Sequence, residues 1–231
     1  MSMICRPLAS SLGLFLFFLG SCFGAIGQAS AQADPAVLRG IVAAAELPAL
    51  KQPKFPEHQE TAQRFYEPAG YGAAWLKGTQ PTRQALQAVE VLRHADGHGL
   101  DPEDYDATWI SGRLRSSPTL KPHELATLDA AISVALFRYL SDVRVGRINP
   151  RAAHFKIDPA PRPDLAQQVR SALATDSVVQ LAVASAPQLP MYERLRKALP
   201  RYRQLAADTS LAPVPVVRRL EPGSEYSGAA A

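Results

Sequence analysis

Residues 122–145 read PHELATLDAAISVALFRYLSDVRV, and this stretch decides the fold class. Large apolar residues recur in it at steps of three and four, which is the period of an α-helix. The stripe comprises Leu125, Leu128, Ile132, Leu136, Tyr139 and Val143. The charged residues Glu124, Asp129, Arg138 and Asp142 are expected to fall largely off it. The pattern predicts a long central helix that Gly146 ends in the left-handed conformation.

Shorter helices, separated by proline and glycine, are predicted on both sides of this one. Before it we expect helices over 57–66, from Pro81 to a terminating Gly97, and after the cap Asp101-Pro102. The apolar residues assigned to the second and third of these are Leu86, Val89 and Leu92, and then Trp109, Ile110 and Leu114. The sequence therefore predicts an all-α domain.

Three helices are predicted after the long one, over 164–174, 177–185 and 189–207. Pro200 should bend or split the last, because proline removes a backbone donor. One side of that helix carries Tyr192, Leu195, Leu199, Tyr202 and Leu205. The following residues 211–220 form at most an edge strand.

The first 33 residues have the pattern of a signal peptide. A single cation, Arg6, precedes the apolar residues 8–23, and Ala31-Gln32-Ala33 fits a signal-peptidase site. Two alternatives stay open: acylation at Cys22 within a lipoprotein-type Leu19-Gly20-Ser21-Cys22 sequence, and an uncleaved membrane anchor. All three predict export to the periplasm or cell envelope.

The region between the signal peptide and residue 57 is predicted to be peripheral. Asp34-Pro35 is a typical helix start, and a short helix is expected to about Leu47. Pro48, Pro53 and Pro56 then predict an extended linker, a tether more than a part of the core. The predicted organisation is a signal peptide over 1–33, this linker region over 34–56, a helical domain over 57–223 and a disordered tail over 224–231.

Composition excludes several classes of function. The only cysteines, Cys5 and Cys22, lie in the predicted export segment, so the exported part has no thiol nucleophile, thiolate ligand or disulfide. The formal net charge of +4 is too mild to indicate nucleic-acid binding. No cofactor is expected.

Six sequence pieces occur in an order that resembles the N-terminal scaffold domain of the murein L,D-transpeptidases. They begin with Phe65-Tyr66 and Trp75, followed by a His-Gly-Leu-Asp-Pro run at 98–102. The others lie at 135–150, 186–196, 202–206 and 220–223. One departure is His154-Phe155-Lys156, where the family commonly has a tryptophan.

The resemblance implies a helical scaffold and partners among peptidoglycan and the enzymes that cross-link it. Members of that family act through a second domain with a histidine and a Ser-x-Gly-Cys-x-Arg motif, and usually carry a peptidoglycan-binding domain. Neither is present in this sequence. We therefore expect a non-catalytic scaffold domain; the alternative is the truncated product of a full transpeptidase.

Other catalytic or metal-binding patterns are weak. His94 and His98 lie four residues apart, but Gly97 interrupts the helix that would align them as metal ligands. The acids of 101–106 lack the spacing of a calcium loop. A lysozyme-like hydrolase with one glutamate acid is a minor alternative, and no Gly-x-Ser-x-Gly turn supports serine hydrolysis. No catalytic or metal-binding residue is assigned.

Two sets of residues are candidates for anion or glycan contact. Trp75 is an aromatic that could stack on a sugar, although such residues more often belong to the core. Arg144 and Arg147 follow the long helix, and Arg196 and Arg203 lie on the last one. The four arginines could form one anion-binding face, whereas a solvated helix surface is the alternative.

Overall fold

The computed structural model describes residues 31–147, 164–210 and 222–223, and within them the fold is all-α, as predicted. The described residues form eight α-helices and a two-stranded antiparallel ribbon. The predicted signal segment up to residue 30, the candidate edge strand over 211–220 and the tail over 224–231 lie outside the described residues. So does 148–163, which contains His154-Phe155-Lys156.

The long helix, α5, spans Pro122–Val145, which confirms the predicted limits. It packs against α1, α2, α3, α4 and α7, whose limits are given below, so it is the central element. Every residue from 128 to 140 is buried. The prediction that Asp129 and Arg138 lie off the buried stripe is therefore wrong, because helices cover α5 on all sides instead of one face.

The other elements surround α5 in chain order. The helices are α1 (Pro35–Ala44), α2 (Gln59–Tyr66), α3 (Arg83–Arg93), α4 (Ala107–Arg115), α6 (Leu165–Ala174), α7 (Val178–Ser185) and α8 (Pro190–Ala207). The strands are β1 (Leu76–Lys77) and β2 (Gln80–Pro81), with Leu76 opposite Pro81. A short 3₁₀ helix, Pro102–Tyr105, precedes α4. None of the described helices combines the length and apolar character needed to cross a membrane.

The segment between residues 34 and 56 belongs to the core, so the expectation of a peripheral tether is wrong. Leu38 on α1 and Phe55 after it have no exposed surface. The chain folds back on itself between them, since the Leu47 amide donates to the Pro53 carbonyl at 2.7 Å and the Phe55 amide to Ala45 at 2.9 Å. The prolines shape a packed loop rather than an extended one.

Two limits of α3 and the conformation of the residue that ends α5 differ from the predicted ones for local reasons. Pro81 lies in β2, and Thr82 caps α3 by accepting from the Ala85 amide at 3.1 Å. Gly99, at φ +78°, takes the left-handed conformation expected of Gly97. Gly146 has the positive φ expected at the end of α5, but its ψ of 161° is extended rather than helical.

Helix α8 lies on the surface, and none of its residues is buried. Its backbone is helical through Pro200, so the proline does not split it. The apolar side of α8 is mostly exposed, since Leu195, Tyr202 and Leu205 are exposed. Leu86, which has the helical spacing of the apolar residues Val89 and Leu92 on α3, is 54% exposed.

Candidate functional site

Four pockets in the described part of the chain each include at least one residue from the last turns of α5 or the residues just after it. One of them, here called the α5-end pocket, has a volume of about 300 Å³ and is lined mainly by polar atoms. The 3₁₀ helix Pro102–Tyr105, the loop before α2 and the last turns of α5 enclose it. Its lining residues are Gln52, Glu57, His58, Asp104, Tyr105, Arg138, Ser141, Asp142, Gly146 and Arg147.

Arg138 projects from the buried middle of α5 into the α5-end pocket. Its side chain is only 7% exposed, and its Nη2 donates to the Lys54 carbonyl at 2.7 Å. Its Nε lies 3.8 Å from the Glu57 carboxylate, too far for a hydrogen bond, and neither Nε nor Nη1 has a hydrogen-bond partner. Burial lowers the pKa of Arg138. A buried guanidinium with two unsatisfied donors is costly, so this side chain is the most unusual feature of the pocket.

Arg147 is engaged with acids on the opposite side of the pocket. Its Nη1 lies 2.6 Å from Asp104 Oδ2, and its Nε lies 3.7 Å from Asp142 Oδ2. Lys51 Nζ also contacts Asp104, at 2.8 Å. The hydrogen bonds from Lys51 and then Arg147 lower the pKa of Asp104, so this carboxylate stays ionised.

Asp142 and Tyr105 form the inner part of the same network. The Tyr105 hydroxyl donates to Asp142 Oδ2 at 2.7 Å. Burial is the main cause that raises the pKa of each group. These contacts tie the 3₁₀ helix to the end of α5 and leave the tyrosine protonated at neutral pH.

Among the described residues around the pocket, acidic groups outnumber basic ones. Asp106 accepts from the Lys51 amide at 2.7 Å, while its Oδ2 is buried without a partner. With Glu57, Asp104 and Asp142 it makes four carboxylates, against the cations Lys51, Arg138 and Arg147. The neighbourhood is thus slightly acidic although its buried wall is an arginine.

The structure places Trp75, a candidate for glycan contact, inside the core. Its ring has no exposed surface, and its indole Nε1 donates to Ser133 Oγ at 2.7 Å. Trp75 is therefore a core residue, and its ring has no exposed face on which a sugar could stack.

The four candidate arginines are not brought together on one face. Arg144 donates to Gln168 and Ser185, both at 3.1 Å, and thereby ties α5 to α6 and α7. Arg203 lies 3.3 Å from Asp96, and Arg196 donates to the Gly97 carbonyl at 3.2 Å. Arg196 and Arg203 thus attach α8 to the loop after α3, while Arg147 belongs to the α5-end pocket.

His94 and His98 point to different partners. The Nδ1 of His94 lies 2.9 Å from the Glu90 carbonyl oxygen, one turn earlier on α3. The Nδ1 of His98 lies 2.6 Å from the Tyr192 hydroxyl, and the two rings stack with centroids 6.0 Å apart. Among the described residues, no group of three or more potential ligands is placed to hold a metal ion.

Sequence reasoning missed the polar groups inside α5. Asp129 has no exposed surface, and its carboxylate accepts from the Ala74 amide at 3.1 Å and the Trp75 amide at 2.8 Å. One signal could have shown this: the alanines between the stripe residues, such as Ala130 and Ala131, make α5 apolar all round. A helix of that kind is buried on every side, its charged residues included.

These features define a class of protein: an all-α domain in which several charged side chains join one helix to another. The family model described as Scaffold domain matches residues 60–199, more than half of the chain, and the chain belongs to that family. No curated protein and no solved structure gives a significant match.

Proposed function

We propose that this protein is a non-catalytic scaffold of the cell envelope that holds or positions peptidoglycan or a partner of the cross-linking machinery. The match to the scaffold family over residues 60–199 is the observation that carries the proposal. The resemblance to the scaffold domain of murein L,D-transpeptidases supplies the envelope context.

The chemistry of the chain supports a role without covalent catalysis. An L,D-transpeptidase forms its acyl-enzyme on a cysteine thiolate, and the sequence has no cysteine after Cys22. Several charged side chains instead join one part of the fold to another. Arg144 bonds to α6 and α7, Arg203 pairs with Asp96 after α3, and the Arg64–Asp164 ion pair joins α2 to the start of α6. Contacts of this kind fix the relative positions of the helices, which is what a positioning domain requires.

Export is part of the proposal. The protein acts outside the cytoplasm, and its attachment to the membrane, where there is one, is through acylated Cys22 or an uncleaved signal anchor. A periplasmic reporter fused after residue 40 should be active. Palmitate labelling that is lost in Cys22→Ala would identify the lipoprotein form, and its absence would favour cleavage after Ala33.

Sedimentation with isolated murein sacculi tests the peptidoglycan role. Wild type should co-sediment, and the Arg196→Ala/Arg203→Ala double variant should do so less if the α8 surface takes part. Arg194→Ala/Arg201→Ala is the matched control, because both of its arginines lie exposed on the same helix. No retention of wild type, together with no cross-linking enzyme recovered from a co-purification out of envelope extract, would refute the scaffold role.

Mass spectrometry after incubation with a carbapenem tests the absence of acyl-enzyme chemistry. The exported chain should keep its mass, since it has no thiolate to acylate. A covalent adduct on any residue after 33 would contradict the proposal.

A further inference from the structure

Helix α8 carries a continuous apolar stripe that is largely exposed. Its members recur at alternating steps of four and three residues, so at 3.6 residues per turn they lie within about 80° of one another around the helix. Met191 is 70% exposed, Leu195 64% and Tyr202 66%. A row of large exposed apolar residues marks an interaction surface. This row, here called the α8 stripe, consists of Met191, Leu195, Ala198, Tyr202 and Leu205.

The spacing of the α8 stripe is that of a seam between two helices. Residues that alternate at steps of four and three occupy the a and d positions of a heptad, and in this register Leu195 and Tyr202 are at a. A helix that lies on a broad apolar surface is apolar over more than about 100° of its circumference, and the α8 stripe is narrower than that. The surface therefore fits another helix better than a flat bilayer.

A different side of α8 holds the helix on the domain. The Tyr192 hydroxyl lies 2.6 Å from His98 Nδ1, and Arg196 donates to the Gly97 carbonyl at 3.2 Å. Tyr192 and Arg196 lie about 100–140° around the helix from the centre of the stripe. The attachment of α8 thus fixes the helix without using the α8 stripe.

The remaining flank of the α8 stripe is basic. Arg194 and Arg201 lie about 60–80° from its centre, at the g positions of the heptad, and both are exposed. Neither makes an ion pair with a described residue. Because side chains at g face the charges of a partner helix, these arginines select a partner with acidic residues there. A second copy of α8 offers no such acid, since its only acidic residue, Glu193, lies on the side away from the stripe.

We propose that the α8 stripe binds an amphipathic helix of a partner protein, one that has apolar residues at heptad spacing and acidic residues beside them. Leu195 and Tyr202 pack into the seam, and Arg194 and Arg201 pair with the acids. The proposal goes beyond the scaffold role, which peptidoglycan alone could fulfil, and does not depend on it.

Fluorescence anisotropy with two labelled synthetic peptides tests the seam and its charge. Both peptides have three heptads with leucine at a and d; one has glutamate at e and g, and the other has lysine there. The glutamate peptide should bind saturably and about tenfold more tightly than the lysine peptide, because only its charges complement Arg194 and Arg201. Raising the salt concentration from about 0.05 M to about 0.5 M should reduce this difference.

Leu195→Ser is the principal variant, because Leu195 is exposed and its loss should leave the fold intact. It should weaken binding of the glutamate peptide about tenfold. Val183→Ser is the matched control, since Val183 on α7 is 65% exposed, nearly as much as Leu195, and lies outside the α8 stripe. The control should bind the glutamate peptide as wild type does.

Arg194→Gln/Arg201→Gln tests the charge separately from the apolar contact. This double variant should lose most of the preference for the glutamate peptide over the lysine peptide, with an unchanged melting temperature. Arg93→Gln/Arg115→Gln removes two exposed arginines from α3 and α4 and should keep the preference. Equal loss in the two double variants would show a general effect of net charge and would overturn the proposal.

The other occupants of the α8 stripe have their own outcomes, and each overturns the proposal. Self-association of wild type in analytical ultracentrifugation that is lost in Leu195→Ser would identify a second copy. Binding to phosphatidylglycerol vesicles that is lost in Leu195→Ser would identify a membrane surface. Absence of saturable binding by the glutamate peptide, or equal binding of both peptides, would show that no acidic helix is selected. Sacculus binding is measured separately, so failure here leaves the scaffold role standing.

Discussion

The Tyr66 hydroxyl lies 2.8 Å from Oδ1 of Asp129, and this contact joins the end of α2 to the centre of α5 inside the core. Asp129 has no exposed surface and Tyr66 is 1% exposed. The same hydroxyl lies 2.6 Å from Ser133 Oγ, and this oxygen accepts a hydrogen bond from the Trp75 indole nitrogen. The result is a closed polar network that ties the Ala74-Trp75 backbone to α5.

Tyr66→Phe should lower the free energy of unfolding by about 1–3 kcal/mol. The change removes one hydroxyl and leaves part of the hydrogen-bonding capacity of Asp129 and Ser133 unmet in the core. Urea unfolding followed by circular dichroism measures the loss. Tyr202→Phe, at an exposed position on α8, is the control and should change stability by about 0.5 kcal/mol or less. Equal midpoints for wild type and Tyr66→Phe would show that the network contributes nothing.

Stability should fall as the pH rises from about 4 to about 6, through the ionisation of Asp129. Burial raises the pKa of this carboxyl from 3.8 to about 6, against the lowering effect of the hydrogen bonds from Ala74 and Trp75. Since the folded state holds the proton more tightly than the unfolded state, ionisation costs about 3 kcal/mol of stability, fully lost above pH 6.

Urea unfolding at a series of pH values, compared between wild type and Asp129→Asn, isolates this contribution. The asparagine variant is less stable overall, because its amide faces backbone donors, but its stability should lack the step between pH 4 and 6. Parallel curves for the two proteins would contradict the assignment to Asp129.

Phe55→Ala should lower the free energy of unfolding by about 3–5 kcal/mol, because the Phe55 ring is fully buried and its removal leaves a cavity. If the segment before α2 were a peripheral tether, Phe55→Ala would leave the free energy of unfolding almost unchanged. Glu46→Ala, whose side chain is exposed in the same loop, is the matched control. If Phe55→Ala and Glu46→Ala have the same melting temperature, the segment before α2 is not part of the core.

Ile132→Ala and Leu86→Ala should have very different effects on the free energy of unfolding, although both residues fit an apolar helical stripe in the sequence. Ile132 has no exposed surface, so its truncation should cost about 2–5 kcal/mol. Leu86 is 54% exposed and should cost about 0.5 kcal/mol or less. Guanidinium unfolding compares the two, and a large loss for Leu86→Ala would mean that another surface covers α3.

Much of the fold could be predicted from local sequence, and much of the candidate site could not. The limits of α5 follow from Pro122 at one end, Gly146 at the other and apolar periodicity between them. The burial of Arg138 could not be predicted, because a helical period cannot show how many sides of a helix are covered by other elements. The four candidate arginines were predicted from their charge alone. Charge could not show that Arg203 pairs with Asp96 and Arg147 with Asp104.

The sequence by itself determined the all-α class, the central helix and the lack of a cysteine after Cys22, since composition and periodicity are read directly from the order of the residues. Only the tertiary structure decided that residues 34–56 are core, that Asp129 is buried and that Arg138 faces a pocket. Each of these depends on contacts between distant residues, such as Tyr66 with Asp129, 63 positions apart, and Arg138 with Lys54, 84 apart. Such contacts form only when the helices close around α5 and exclude water from whatever side chains lie between them.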